Sequence, residues 1–442
     1  MATVRHGAAV PGVLRLGAVD RGMIAGHADR PMPAAVLLDF DGPVPDVEGL
    51  RERICERAAQ LPALRYRPSD GGRTAVWCEE FDPSRHVRVV AAAEAEAADD
   101  RGAEFVLAQG PPAGRDRPPW ELLLVSRPGT GYSLGFHGDH GLYDGVLIVA
   151  LLRALLDDEP AAGPPLPRPG RPRLAGVIHT LARQAALWRD PGPVPALGAP
   201  GAGPRQVRHA DAPLARLRNL ARAHQVSVND IHLTALAHAV HLWRAGHSGG
   251  AHPPLVTSMP VSYRRPGEES ALGNRIALTG LVLPCDEASP VQALRRVAAQ
   301  TARQRRVRQR DALRVLAALT PGAAAGRLVG RLSHTLTASN VAFGQALTYR
   351  GDLARAAYGL TDVRGPNQCY TCLTSYHDTA RLTVVHQPGT PIGTDLPRLW
   401  LGALSALEHA TAAAIGGIGG ITQRTPAPGR WADSEAGTWP PR

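Results

Sequence analysis

FHGDHGLYDGVLIVALLRALL, residues 136–156, is the stretch on which the reading of this chain turns. His137, Asp139, His140 and Asp144 fall close together, Gly138, Gly141 and Gly145 punctuate them, and a strongly apolar run follows. Buried imidazoles and carboxylates are costly unless they are paired or put to use. The cluster therefore predicts either a reactive site or a satisfied polar loop, and the local pattern weighs the two equally. Its first half belongs to YSLGFHGDH (132–140), which reads as a strand joined to WELLLVS (120–126) by the turn RPGTG (127–131). Its second half, VLIVALLRALLDD (146–158), reads as an apolar helix. His140 thus stands at a strand end, where a neutral imidazole can be presented to a cleft and take a proton from an attacking hydroxyl or amine. Asp144 is badly placed as a second base. It is expected to bind an arginine or backbone amides and brace the loop, with Arg264 as its partner. Gly145 would allow a tight turn or a close backbone approach.

Outward from this stretch, strands and helices alternate. PAAVLLDFDG (33–42), PLVTSMPVSYR (254–264) and IALTGLVLP (276–284) read as strands, and residues 367–388 as a hairpin. Helical spacing covers 47–64, 176–190, 213–226, 228–246, 289–310 and 396–414. Such alternation favours layered α/β units. The Pro/Gly-rich segments 159–172 and 190–204 predict a long, partly mobile connection between two halves. The boundaries expected are a first lobe over 18–189, a linker over 190–205, a second lobe over 206–424 and a disordered tail over 425–442.

The chain has 442 residues, 44% of them hydrophobic, which suits two or more packed cores. The net charge is +10, and every basic residue is Arg, with no Lys at all. Arginine grips phosphates and carboxylates in a rigid fork, so an acidic carrier protein or a phosphorylated cofactor fits the charge as well as a nucleic acid would. No nucleic-acid module is visible, and none is expected as a partner. MATVRHGAAVPGVLRLG lacks a continuous apolar core, and no run reaches the roughly 20 apolar residues of a membrane span. Five cysteines argue against a secreted disulfide framework. A soluble cytoplasmic protein is expected, with at most peripheral membrane contact.

Three further patterns compete for attention. Gly131-Tyr132-Ser133-Leu134-Gly135 fits the nucleophile elbow G-x-S-x-G. That elbow needs a strand, a sharp turn and then a helix, whereas Ser133 lies inside the predicted strand. Cys369 and Cys372 form a C-x-x-C, but strand alternation points them to opposite faces, and His377 and His386 are spaced poorly for a metal. No metal is expected. The run RQRRVRQR (303–310) reads as the solvated face of a helix; a functional version would steer CoA phosphates or an acidic carrier protein. Asn229 and Asp230 open a helix, so capping explains them without function.

H-x-x-x-D-G after a strand resembles the HHxxxDG motif of CoA-dependent acyltransferases. Further stretches resemble the wax ester synthase/diacylglycerol acyltransferase group in order: AVDRGMI (18–24), LPALRYRP (61–68), DRPPWELLLV (116–125), SVNDIHLTALAHAV (227–240), MPVSYR (259–264), LGNRIALTGLVLP (272–284), SNVAFG (339–344) and Ser375-Tyr376. The resemblance covers residue 18 to about 415. It implies two chloramphenicol-acetyltransferase-like lobes with an interface tunnel and His140 midway along it as general base. It also implies supporting roles for Asp139, Asp144, Gly145, Asn229, Asp230 and Arg264, and substrate contacts from Trp120, Asn274, Asn340 and Ser375. An acyl thioester, acyl-CoA or a phosphopantetheinyl thioester, is the implied co-substrate, with a hydroxyl or amine acceptor and no tightly bound cofactor. Asp139 departs from the motif by replacing its first histidine. Two alternatives stand beside this reading. One is a stand-alone condensation enzyme fed by an acyl or peptidyl carrier protein in natural-product biosynthesis; the other is a degenerate relative that only binds an acyl chain or a carrier.

Overall fold

A computed structural model of the chain describes residues 12–26, 31–90, 101–109, 116–126, 131–160, 163–189, 197, 201, 203–247, 253–320, 334–365 and 367–418. In the first half these residues form β1 (Val13–Arg15), α1 (Ala18–Gly26), β2 (Pro33–Phe40), α2 (Val47–Ala58), β3 (Tyr66–Pro68), β4 (Thr74–Trp77), β5 (Val87–Val90), α3 (Arg101–Gln109), β6 (Trp120–Ser126), β7 (Tyr132–Asp139), α4 (Gly145–Leu156) and α5 (Leu174–Arg189). Then come β8 (Gln206–Pro213), α6 (Leu214–His224), α7 (Val228–His247), β9 (Leu255–Ser262), β10 (Ile276–Leu283), α8 (Pro290–Arg306), α9 (Gln309–Leu319), β11 (Leu336–Gly344), β12 (Thr348–Tyr349), β13 (Asp352–Thr361), β14 (Cys369–Tyr376), β15 (Thr379–His386) and α10 (Pro391–Ile418).

The strands build two six-stranded sheets. One has the order β12-β13-β2-β7-β6-β5, the other β10-β9-β11-β14-β15-β8, and β1-β4-β3 form a small third sheet. β2 is buried along its whole length because both of its faces are covered. Ala34, Val36, Leu38 and Phe40 pack with Leu50 and Ile54 of α2 and Leu147 and Leu151 of α4. Ala35 and Leu37 join Tyr358 and Leu360 of β13 and Tyr370 and Cys372 of β14, so this cluster draws on both sheets. A separate core lies under α7 and α10, where Ile231, Leu236, Leu396 and Trp400 meet Leu336, Leu373 and Leu382 of the second sheet. The mixed α/β class read from alternation is the class of the structure.

Two features depart from the linear reading. β13, within the range given to the second lobe, lies in the first sheet and pairs with β2, Ala357 opposite Leu38. The helix expected over 289–310 is interrupted: Arg308 adopts the left-handed region (φ 50°), ending α8 and starting α9. The tail 425–442 and most of the linker 190–205 lie outside the described residues, as does most of the RPGTG turn.

Candidate active site

β7 ends at Asp139, and the turn that follows is fixed by its own backbone. His140 donates its N–H to the Met32 carbonyl at 2.7 Å, and Asp139 Oδ1 accepts from the Gly141 N–H at 2.8 Å. Asp144 then caps α4, its Oδ1 accepting from the Leu147 N–H at 2.9 Å. This is the usual solution for an orphan donor at a helix start. Gly145 makes a close approach rather than a turn, since an added Cβ would sit 3.2 Å from Val341 Cγ2 on β11.

The second lobe closes over this turn with the segment after β9. Arg264 Nε lies 3.0 and 2.9 Å from the two Asp144 oxygens, and Nη2 lies 2.8 Å from Oδ2. Both side chains are fully buried. The remaining Arg264 donors reach the carbonyls of Glu268, Ala271 and Gly273, so the guanidinium is satisfied on every side. Asp144 Oδ2 also accepts from the Arg275 N–H at 2.9 Å, and the Leu142 carbonyl accepts from Gly273 N–H at 3.1 Å. A buried charge so fully engaged is tolerable; stripped of its partner it would be costly.

His140 itself is half-buried. Asn274 Nδ2 donates to its carbonyl at 2.8 Å and lies 3.2 Å from its Nδ1. The Asn274 amide is oriented by the Ile276 N–H, which donates to its Oδ1 at 3.1 Å. Burial lowers the His140 pKa; hydrogen bonds to its own carbonyl and to Tyr143, and the Asp144 charge, oppose that. The imidazole is therefore neutral at neutral pH.

The other expected residues separate into those near this seam and those away from it. Asp139 turns back onto Gly141, and burial pushes its carboxyl up to about 6 against that hydrogen bond. Trp120, expected to contact substrate, is fully buried, donates Nε1–H to the Leu64 carbonyl at 2.9 Å and stacks on His86 and Phe136. Asn274, expected to contact substrate, is buried and bonds to His140. On β11, alternation sends Val341 to Gly145 and Asn340 to the opposite face, where Asn340 Nδ2 donates to Asn229 Oδ1 at 3.0 Å. Ser375 pairs in register with Ala342 and shares the Asn340 face. Asp230 accepts from Ser227 N–H and the Thr301 hydroxyl, and Arg305 lies 3.7 Å away; it caps α7 and ties it to α8.

The rival patterns find structural roles. Ser133 lies within β7 and donates to Asp39 Oδ1 at 2.7 Å, so it does not stand on an elbow. Cys369 and Cys372 belong to different cores. From the arginine run, Arg308 and Arg310 donate to carbonyls of this chain, at Arg171 and at Pro167, Ser262 and Arg264. Asp20 is the residue the motif reading passed over. Its two oxygens accept from Asn274 N–H at 2.8 Å and Gly17 N–H at 2.7 Å, and burial pushes it up to about 6. A lone carboxylate among Ala18, Met23 and Ile24 was its available signal.

Residues 16–191 match the family model of the wax ester synthase/diacylglycerol acyltransferase catalytic domain. The protein named "Probable diacyglycerol O-acyltransferase Tgs4" of Mycobacterium tuberculosis is 35% identical over 164 residues, 37% of this chain. That match spans only 31% of the relative's length. The protein named "Probable diacyglycerol O-acyltransferase tgs1" of the same species is 27% identical over 408 residues, 80% of this chain and 81% of its own. Among solved structures, the wax ester synthase/diacylglycerol acyltransferase of Marinobacter aquaeolei VT8 aligns over 90% of this chain and 100% of its own, with TM-score 0.61 and 21% identity. The starter condensation domain of rhizomide synthetase, solved with C8-CoA and Leu-SNAC, aligns over 90% and 95% with TM-score 0.60 and 15% identity. The fold is the two-lobed, chloramphenicol-acetyltransferase-like one of these proteins. Within that class, residues 16–191 are similar to the wax ester synthase/diacylglycerol acyltransferase catalytic domain.

Proposed function

We propose that this protein is an acyltransferase that moves an acyl group from acyl-CoA to a hydroxyl or amine acceptor, with His140 as general base. The observation that carries the proposal is the placement of a neutral imidazole at the seam of two lobes, its ring steadied from the second lobe by Asn274. The neutral ring keeps one nitrogen lone pair, and in this scheme that lone pair takes the acceptor's proton. The acceptor oxygen or nitrogen then bonds to the thioester carbonyl carbon. The carbon–sulfur bond breaks, and the thiolate leaves with the proton held by His140. Bringing both substrates into register at one imidazole, within a passage between the lobes, supplies much of the rate and removes the need for an acyl-enzyme. Asp144, Arg264, Asp20 and Asn274 are positioning residues in this scheme. Asn229, Asn340 and Ser375 remain proposed substrate contacts further from the ring. A cytoplasmic location is part of the proposal; no helix among the described residues is long and apolar enough to cross a membrane.

The test is release of free CoA from long-chain acyl-CoA, measured with and without a fatty alcohol. Release is expected to require both substrates and to fall by about 10²–10⁴-fold in His140→Ala, with the melting temperature nearly unchanged. Activity that survives His140→Ala overturns the mechanism. The likeness to condensation domains supports one second reading, a carrier-protein-dependent enzyme. Release seen only with an acylated carrier protein would favour it.

A further inference from the structure

α5 is mounted inside out. Its polar side chains face the protein: Gln184 Nε2 donates to the Leu278 carbonyl at 2.7 Å, and Arg183 Nη2 to the Gly280 carbonyl at 3.1 Å. Those carbonyls belong to β10, the edge of the second sheet, and an open edge is a liability that side-chain donors blunt. The approach is close, because Gly176 abuts the Val307 carbonyl with no room for a Cβ. With the polar face so committed, the apolar face turns outward. Leu174, Ile178 and Leu181 recur at helical spacing and are 75%, 57% and 49% exposed. α9 packs beside α5 and adds Val315 and Leu319, the latter 74% exposed. These two helices hold five of the ten large hydrophobic side chains exposed among the described residues, so the apolar surface is concentrated here.

The surroundings say what this face fits. Residues 163–189 contain Arg168, Arg171, Arg173, Arg183 and Arg189 and not one carboxylate. Arg168, Arg171 and Arg173 are exposed just ahead of Leu174; Arg265 and Arg314 line a shallow cavity with Asp311, Val315 and Leu319, Arg314 being paired there with Glu268, so the excess positive charge lies mainly with the first three. The outward side of α5 offers Leu174, Ala175, Ile178, Leu181 and Ala182, none with a hydrogen-bonding side chain to register one particular protein partner. Aliphatic side chains edged by arginine suit an interface that is apolar within and negatively charged at its surface.

We propose that the outer face of α5, with the end of α9, docks this protein on an anionic lipid surface. Arginines steer and hold it at the headgroups while Leu174, Ile178 and Leu181 enter the acyl boundary. The face lies outside the acyl-transfer site and stands or falls independently of it. The test is co-sedimentation of the full chain with sucrose-loaded vesicles of phosphatidylcholine alone and of phosphatidylcholine with one part in three phosphatidylglycerol. Binding is expected to the anionic vesicles, to weaken as salt is raised, and to fall more than about tenfold in the triple variant Leu174→Ser/Ile178→Ser/Leu181→Ser. Unchanged melting temperature and unchanged CoA release from soluble substrates would show that variant to be folded. No binding to either vesicle, or equal binding by the triple variant, overturns the proposal. So does a dimer in sedimentation velocity that the triple variant dissociates, which would assign the face to a second copy of the chain.

Discussion

His137 and His140 stand three residues apart at the end of one strand, in opposite surroundings. His137 is fully buried, neither of its nitrogens has a hydrogen-bond partner, and burial drives its pKa down to about 3, with Arg88 adding to the shift. His140 sits one residue past the strand, half-buried, with carbonyls and an amide arranged about it. Asp139 and Asp144 repeat the contrast. Asp139 bends back on its own turn with its carboxyl pushed up to about 6, whereas Asp144 is locked to Arg264 across the lobes. Residue type is the same in each pair; what differs is whether the second lobe supplies a partner.

The largest effect should come from breaking the partnered side. Asp144→Ala leaves the Arg264 guanidinium buried without its carboxylate and should cost about 3–5 kcal/mol, with loss of folded protein and of activity, measured by urea unfolding. A variant that is fully folded and merely slow would refute the bracing role.

The unpartnered side should show itself through pH. His137 has a folded pKa of about 3 against an ordinary 6.5, so the unfolded chain binds its proton first and stability is lost as pH falls below 6.5. His137→Leu should abolish that loss, worth about 3–5 kcal/mol toward the lower end of the window. Asp139 has the reverse sign. Its folded pKa of about 6 exceeds the ordinary 3.8, so stability is lost as pH rises from 3.8 through about 6. Asp139→Asn should therefore gain about 1–3 kcal/mol over wild type above that window and nothing below it. The two residues largely offset each other in the wild type, so the single variants should slope in opposite directions in pH-dependent unfolding. Parallel slopes would mean that the environment of β7 is misread.

The smallest effect belongs to the start of the strand. Ser133→Ala removes one donor from Asp39 and should cost about 1 kcal/mol with CoA release unchanged. A large fall in turnover, with the fold intact, would reopen the nucleophile reading.

Much of this was legible in sequence because it is local. The strand into His140, the cap at Asp144 and the apolar stripe of α4 follow from alternation, capping chemistry and helical spacing. The Asp144–Arg264 contact was legible too, since a carboxylate and a guanidinium in otherwise apolar surroundings have few other ways to be satisfied. The break at Arg308 was not, because RQRRVRQR is uniformly helix-favouring and only a left-handed residue ends it. The bond from Trp120 to the Leu64 carbonyl was not legible either, because the motif neighbourhood says nothing of that distant backbone group.

Sequence by itself determined the α/β class, the position of the histidine at a strand end and the order of motifs that resemble one family, all of which depend on neighbours a few residues away. Only the tertiary structure decided that β13 returns to the first sheet, that Asn274 and Asp20 converge behind His140, and that α5 shows its apolar side to solvent. Those outcomes depend on which distant backbone groups lack hydrogen bonds and which side chains arrive to satisfy them, and that is set by packing across long separations rather than by local pattern.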